Sequence, residues 1–253
     1  MPEHADFRAL YLSEIGVHTP LPVDGDDSSN NISDEIKPEG AVAAPSPILS
    51  ESVPTSPSAT SSADTAVDGN RLDDLAVQAS SCTACQLSEQ RTRVVFGIGN
   101  PEADIVFIGE APGREEDLKG EPFVGRAGQL LDRMLAALGM DRSEVYIMNT
   151  VKCRPPNNRD PRPDEVEACS RWFDAQLKAL SPKIICLLGR VSAQTVLETD
   201  QSLSVLRRNW HDYHGIPVQV IYHPAYLLRS PQQKRHVWSD LCELKRRYDA
   251  LLP

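Results

Sequence analysis

Ile105-Val106-Phe107-Ile108-Gly109-Glu110-Ala111-Pro112-Gly113 is the stretch on which the fold turns. Four apolar residues in a row suit a strand buried on both faces, and the proline and glycines that follow end it in a tight turn. Three more runs of this kind follow, at Val145–Met148, Ile184–Leu188 and Val218–Tyr222. Helical patterns separate or follow them. Gln129–Leu138 sets Leu130, Leu131, Met134, Leu135 and Leu138 on one side and stops at Gly139. Pro163-Asp164-Glu165 opens a second helix, with a proline and acids in its first turn. That helix carries Val166, Cys169, Trp172, Phe173 and Leu177 on its apolar face, and Ser192–Leu197 and Gln232–Tyr248 make a third and a fourth. The alternation predicts an α/β domain of three layers, with a mostly parallel four-stranded sheet covered on both sides.

Outward from this core the composition changes. Of the 253 residues, the first 70 hold twelve acids and two bases, which is the whole net charge of −10; residues 71–253 hold 24 of each. An anionic partner for the second part is therefore not excluded. Residues 20–70 are rich in Ser, Pro, Ala and Thr, as in Pro45-Ser46-Pro47, and cannot bury enough apolar area to offset ordering. They are expected to be a disordered acidic linker. Ahead of them Phe7, Leu10, Tyr11 and Ile15 recur at roughly helical spacing, which suits a docking peptide for a protein partner or a helix packed on its own domain. The expected division is 1–70 and 71–253. No apolar run is long enough for a membrane span and no signal peptide is visible, so a cytoplasmic protein is expected, and with no oligomerisation signal a monomer.

In open parallel sheets a ligand binds beyond the carboxyl ends of the strands. The four strands run into Gly109–Gly113, Asn149-Thr150-Val151-Lys152-Cys153-Arg154-Pro155-Pro156, Gly189-Arg190 and His223-Pro224-Ala225-Tyr226-Leu227-Leu228-Arg229. Asn149 offers one acceptor and two donors, the chemistry that reads a base edge, although a strand-end turn residue is the plainer reading. His223 is placed to polarise a leaving group. Phe123, between Pro122 and Gly125, could stack on a flat ring or belong to the core. Arg114, Arg126, Arg154, Arg159, Arg162 and Arg229 form a basic rim suited to a phosphate backbone, and Leu227-Leu228 beside Arg229 resembles an apolar wedge.

All six cysteines lie beyond residue 81. Cys82 and Cys85 stand as C-x2-C, and Cys153 and Cys169 complete a set of four that suits an iron–sulfur cluster at least as well as zinc. Cys186, inside an apolar run, and Cys242 read as small core residues.

These motifs resemble the family 4 uracil-DNA glycosylases, the iron–sulfur branch of the uracil-DNA glycosylase superfamily. The resemblance runs through Gly109–Gly113, Glu116-Asp117, Gly120–Gly125, Asn149–Asn158 and His223–Arg229, takes in the four cysteines, and spans residues 82–247. It implies a [4Fe-4S] cluster on Cys82, Cys85, Cys153 and Cys169, with a structural role. It implies that Phe123 stacks on uracil, that Asn149 bonds its polar edge and that His223 faces its O2. Glu110, Ala111 and Pro112 would line the pocket, and Glu116 would fix the loop or the water. One related branch traps its product on a histidine in the loop after the Asn motif; Arg154–Asp160 has none, so hydrolysis is expected. Two other readings stand beside this one. One is a non-catalytic nucleic-acid-binding metalloprotein, and the other an adaptor acting through its N-terminal stripe.

Overall fold

The computed structural model describes residues 69–252. The expected N-terminal docking peptide and linker lie outside the described residues. The four apolar runs form β2 (Ile105–Gly109), β3 (Tyr146–Asn149), β4 (Ile184–Leu188) and β6 (Ile216–Ile221), and the first three are buried from end to end. They pair in parallel in the order β3-β2-β4-β6. The sheet has six strands rather than four. β1 (Ile98–Gly99) pairs antiparallel with β3, and β5 (His211–Tyr213) antiparallel with β6. Both are two or three residues long and incompletely buried, too short to give an apolar run in sequence.

The helices are α1 (Gly69–Ser80), α2 (Arg114–Lys119), α3 (Arg126–Ala137), α4 (Pro163–Leu180), α5 (Arg190–Val196), α6 (Leu203–Leu206), α7 (Pro224–Arg229) and α8 (Lys234–Asp249). Strand side chains alternate between faces, so each strand feeds two cores. Ile105 and Phe107 of β2 and Cys186 of β4 pack with Leu130, Leu131 and Met134 of α3 and Leu241 of α8. Val106, Ile108, Ile185 and Leu187 face the other way, onto Phe173, Leu177 and Leu180 of α4 and Ala193 of α5. The three expected layers are present. α4 ends at Ser181, which takes a left-handed φ of 45°.

Chain order creates the site. From β2 the chain crosses to β3 on one side, and β4 then returns to the other side of β2. The loops leaving the carboxyl ends of such neighbours part and open a crevice. Among the described residues, no helix is long and apolar enough to cross a membrane.

Candidate active site

A pocket of about 440 Å³ opens at that crevice, within the size range of small-ligand sites. Glu110, Ala111 and Pro112 line it from the loop after β2, Asn149 from the end of β3, and His223 and Arg229 from the segment after β6. Phe123 and Glu116 complete one wall, and Arg159 and Asp160 another.

Phe123 is 6% exposed and belongs to the core as well as the pocket, so it is not the exposed platform that its loop suggested. Its backbone is left-handed, with φ 54°, a conformation costing a non-glycine residue about 1–2 kcal/mol. Two contacts hold it there. Glu116 Oε1 accepts hydrogen bonds from Val124 N and Gly125 N, each at 3.0 Å. Gly128 of α3 leaves room for the Phe123 carbonyl, which any β-carbon there would strike. Glu116 thus bonds the Phe123 loop directly. Gly109 supplies the floor: a β-carbon there would lie 2.7 Å from Phe123 Cζ and collide with Asn149 Oδ1.

Asn149 is 2% exposed, and its Oδ1 has no hydrogen-bond partner. A buried acceptor left unpaired costs about 1–3 kcal/mol, so this one is suited to a donor brought by a ligand. The His223 ring stands 5.5 Å from the Phe123 ring, centroid to centroid, tilted by 33°. Gly189, at φ 95°, lets the two strand ends approach: a β-carbon on it would lie 2.9 Å from His223 Cβ. His223 Nδ1 accepts a hydrogen bond from Ala225 N at 3.1 Å, capping α7. Burial, helped by Arg229 and opposed by Glu116, lowers the His223 pKa to about 4. The ring is then neutral at physiological pH, and its proton sits on Nε2, because Nδ1 is already an acceptor.

Glu110 is shifted the other way. Burial, with Asp160 beside it and Arg190 opposing, pushes its carboxyl up to about 7. Asp160, Arg190, Asn158 and Tyr226 were not singled out in the sequence; all but Arg190 line the pocket. Their signal was position alone, since each lies on a segment leaving the same sheet edge: Asn158 and Asp160 in the loop after β3, Arg190 at the start of α5 and Tyr226 in α7.

The basic rim is only partly free. Arg159 forms a two-pronged ion pair with Glu165, at 2.8 and 2.6 Å, and Glu165 is fully buried. Arg154 Nε donates to Asn158 Oδ1 at 2.7 Å, and Arg162 reaches Glu165, Asp164 and Gln86. These arginines brace their own loop. Arg114, Arg126 and Arg229 are exposed. The wedge needs correcting: Leu227 is 0% exposed and packs in the core, and Leu228 is partly buried against it. Successive helical residues point about 100° apart, so on α7 the apolar side chain left exposed at the rim is Tyr226.

The four cysteines line a separate cavity, walled by Arg91, Lys152 and Trp172. Arg91 Nη1 donates to Cys153 Sγ at 3.2 Å, Arg171 Nη2 to Cys82 Sγ at 3.2 Å, and Lys152 N to Cys169 Sγ at 3.4 Å. The Trp172 indole N–H is buried at the wall without a hydrogen-bond partner. Burial raises Cys153 to about 11 and raises Cys169, while Arg91 and Lys152 respectively oppose the rise. Burial also opposes ionisation of Cys82, but the Ala84 amide and the Arg171 guanidinium outweigh it and its pKa is lowered. Among the described residues no three His, Cys, Asp or Glu side chains converge closely enough for a single metal ion. The donor chemistry instead suits an anionic group large enough to touch four separated sulfurs, because cations and N–H groups already face them. Cys186 is a core residue, as expected, and Cys242 is partly buried against the same core.

The sheet order and the pocket at its switch point define an α/β protein whose candidate site lies at the carboxyl ends of its parallel strands. The sequence model of the uracil DNA glycosylase superfamily matches residues 96–242, and the chain belongs to that superfamily. It is 47% identical over 179 residues to the type-4 uracil-DNA glycosylase of Archaeoglobus fulgidus, covering 67% of this chain and 89% of the relative. The type-4 enzyme of Thermotoga maritima is 45% identical over 65% of this chain and 88% of its own length. The type-5 uracil-DNA glycosylase of Thermus thermophilus is 34% identical over 42% of this chain and 54% of its own.

Proposed function

We propose that this chain is a DNA-repair glycosylase that excises uracil by hydrolysing its N-glycosidic bond, leaving an abasic site in cytoplasmic DNA. The observation that carries the reading is one pocket holding an aromatic plate, an unpaired amide oxygen and a neutral imidazole: Phe123, Asn149 and His223. Taking a base out of the stack costs a few kcal/mol. Stacking on Phe123 returns about 1–3 kcal/mol. The Asn149 amide accepts the ring N–H of uracil and donates to the neighbouring carbonyl. Ala111 and Pro112 close the wall beside it.

As the bond from the sugar C1′ to the base N1 breaks, its electron pair goes to uracil, and charge builds on O2. The His223 Nε2–H is the donor for that charge. Being neutral, it is preorganised to strengthen its bond in the transition state without carrying charge in the ground state. A water oxygen then bonds to C1′, and its proton passes to Glu110, the carboxyl poised near neutrality. Glu116 acts at one remove, by holding the Phe123 loop. Arg126, Arg229 and the braced loop of Arg154 and Arg159 face the phosphates, with Tyr226 and Leu228 at the rim.

Cys82, Cys85, Cys153 and Cys169 would hold a [4Fe-4S] cluster. When bound, it supplies a cross-link between the segment after α1, the end of β3 and α4. Support comes from the cations and N–H donors around the sulfurs. Incubating the purified chain with a labelled uracil-containing oligonucleotide, followed by hot alkali, is the test. Strand cleavage at uracil alone is expected; an intact strand with brown, iron-loaded protein overturns the reading.

A further inference from the structure

We infer that a second pocket, joined to the first by Tyr222 and Tyr226, seats a nucleotide of the uracil-bearing strand outside the excised base. The inference rests on the reading of the first pocket just given and extends its substrate. The second pocket measures about 660 Å³. Arg208 and Trp210 line it from the turn after α6, Arg246 from α8, and Gln219 and Tyr222 from β6 and its end. Tyr222 directly precedes His223. Its ring stands 5.1 Å from that of Tyr226, centroid to centroid, tilted by 42°. Tyr226 is the exposed rim residue of the first pocket. The two pockets therefore share one aromatic ridge, and a strand that delivers a base to the first continues across that ridge onto the second.

The groups around the second pocket select the ligand. Arg207 is spent on the wall: its guanidinium lies 3.9 Å from the Tyr222 ring centroid, and its Nε donates to Asp240 Oδ2 at 3.0 Å. Arg208 and Arg246 are exposed, and Arg247 lies 4.2 Å from the Trp210 ring centroid. Glu243 pairs with Arg246, so Arg208 and Arg247 supply the positive excess. Residues 71–253 hold equal numbers of acids and bases, which makes this a local concentration of cations. A phosphate suits the arginines but not the wall that β6 supplies. Gln219 is 4% exposed; its Nε2 donates to the Asp240 carbonyl at 2.7 Å, and its Oε1 has no partner. A buried acceptor calls for an N–H donor, which the amino group of a base brings and a simple inorganic anion does not. A phosphate beside arginines and a flat amino-bearing ring against Trp210 and Gln219 are the two parts of a nucleotide. A free nucleotide has the same chemistry; the shared ridge favours one held in the strand.

The test is fluorescence anisotropy of the full chain with labelled oligonucleotides that carry a stable abasic analogue in place of uracil. One probe has two long arms, and in each of two others one arm is cut back to a single nucleotide. Arg208→Ala should bind the long probe more weakly, with the slope of log affinity against log salt reduced by about one. Cutting back one arm should erase the difference between Arg208→Ala and wild type; cutting back the other should preserve it. The long probe should also quench the tryptophan fluorescence of the wild type, and Trp210→Phe should lose most of that quench. An Arg208→Ala variant that binds the long probe as wild type does, or that is weakened equally on all three probes, overturns the inference. So does a quench that survives Trp210→Phe, or an equal quench by dAMP alone at the concentrations that saturate with the long probe. A wild type that leaves uracil in place overturns the proposed function instead, and the three probes still judge the second pocket, because no cleavage enters their readout.

Discussion

The base pocket and the cysteine cavity lie at opposite ends of one five-residue segment, Asn149–Cys153, and are built on contrary plans. The pocket keeps a polar group unsatisfied: the Asn149 oxygen has no partner, while the His223 ring is fixed through its Nδ1. Its walls hold position through close backbone contact and a strained φ at Phe123. The cavity surrounds its sulfurs with guanidinium groups, a backbone N–H and the buried cation of Lys152. A site for a neutral ring that leaves as an anion needs donors with little charge of their own. A site for a resident anionic group needs charge supplied in advance. The difference shows that burial alone does not distinguish a reactive centre from a structural one; what each polar group is already bonded to does.

Substitutions can separate the two regions. The largest effect is expected for His223→Ala, which should lower single-turnover excision about 10²–10³-fold, while the melting temperature falls only by the few degrees that a lost helix cap costs and iron held by the proposed cluster is retained. Loss of iron in that variant would break the separation. In the wild type the ring should titrate near pH 4 by NMR.

Cys169→Ala acts from the other end. Binding of a structural metal group counts toward folding free energy. On the proposed [4Fe-4S] reading, the variant should lose its iron and melt about 10 °C lower, since several kcal/mol corresponds to that shift for a domain of this size. Unchanged melting in an iron-free protein would remove the structural role.

Lys152→Met probes the junction. Lys152 is 1% exposed, and its Nζ donates to the Asn149 carbonyl at 2.7 Å. Burial lowers its pKa to about 8, with Cys169 and Cys153 opposing. Stripping the donor leaves a buried carbonyl short of a partner, at about 1–3 kcal/mol. Both the melting temperature and the excision rate should fall, and a change in only one of them would show the segment to be less rigid.

Glu110→Gln tests the smallest term. The folded-state pKa of about 7 lies above the ordinary 4.5, so the native state holds this proton more tightly than the unfolded chain. That stabilisation is complete below pH 4.5 and lost as pH rises through 7. Glutamine has nothing to lose, so the variant should gain about 1–3 kcal/mol over wild type at pH 8 and nothing at pH 4. Chemical denaturation at the two pH values measures the difference.

The parallel strands were legible because each is buried on both faces and reads as an unbroken apolar run. The edge strands Ile98–Gly99 and His211–Tyr213 were not, since each is short, part-exposed and held by a neighbour's hydrogen bonds. The helix of Pro163 was visible from its first-turn proline and acids, whereas Pro224–Arg229 is hidden in six residues that also read as a loop. Asn149 and His223 could be located because strand ends converge at one edge, and Phe123 from the proline and glycine that flank it. Leu227 misled because apolar residues beside an arginine look alike whether a helix turns them in or out. Asp160 and Arg190 depend on a contact between the loop after β3 and the start of α5, which no local pattern records.

One glycine has a reach beyond its size. With no β-carbon at Gly128, the Phe123 carbonyl beds into the opening turn of α3, a twelve-residue helix whose other face is locked into the core. The plate is thus the tip of a heavy lever. A ring too bulky for the space beside Phe123 would therefore press on the loop and on the helix beneath it together.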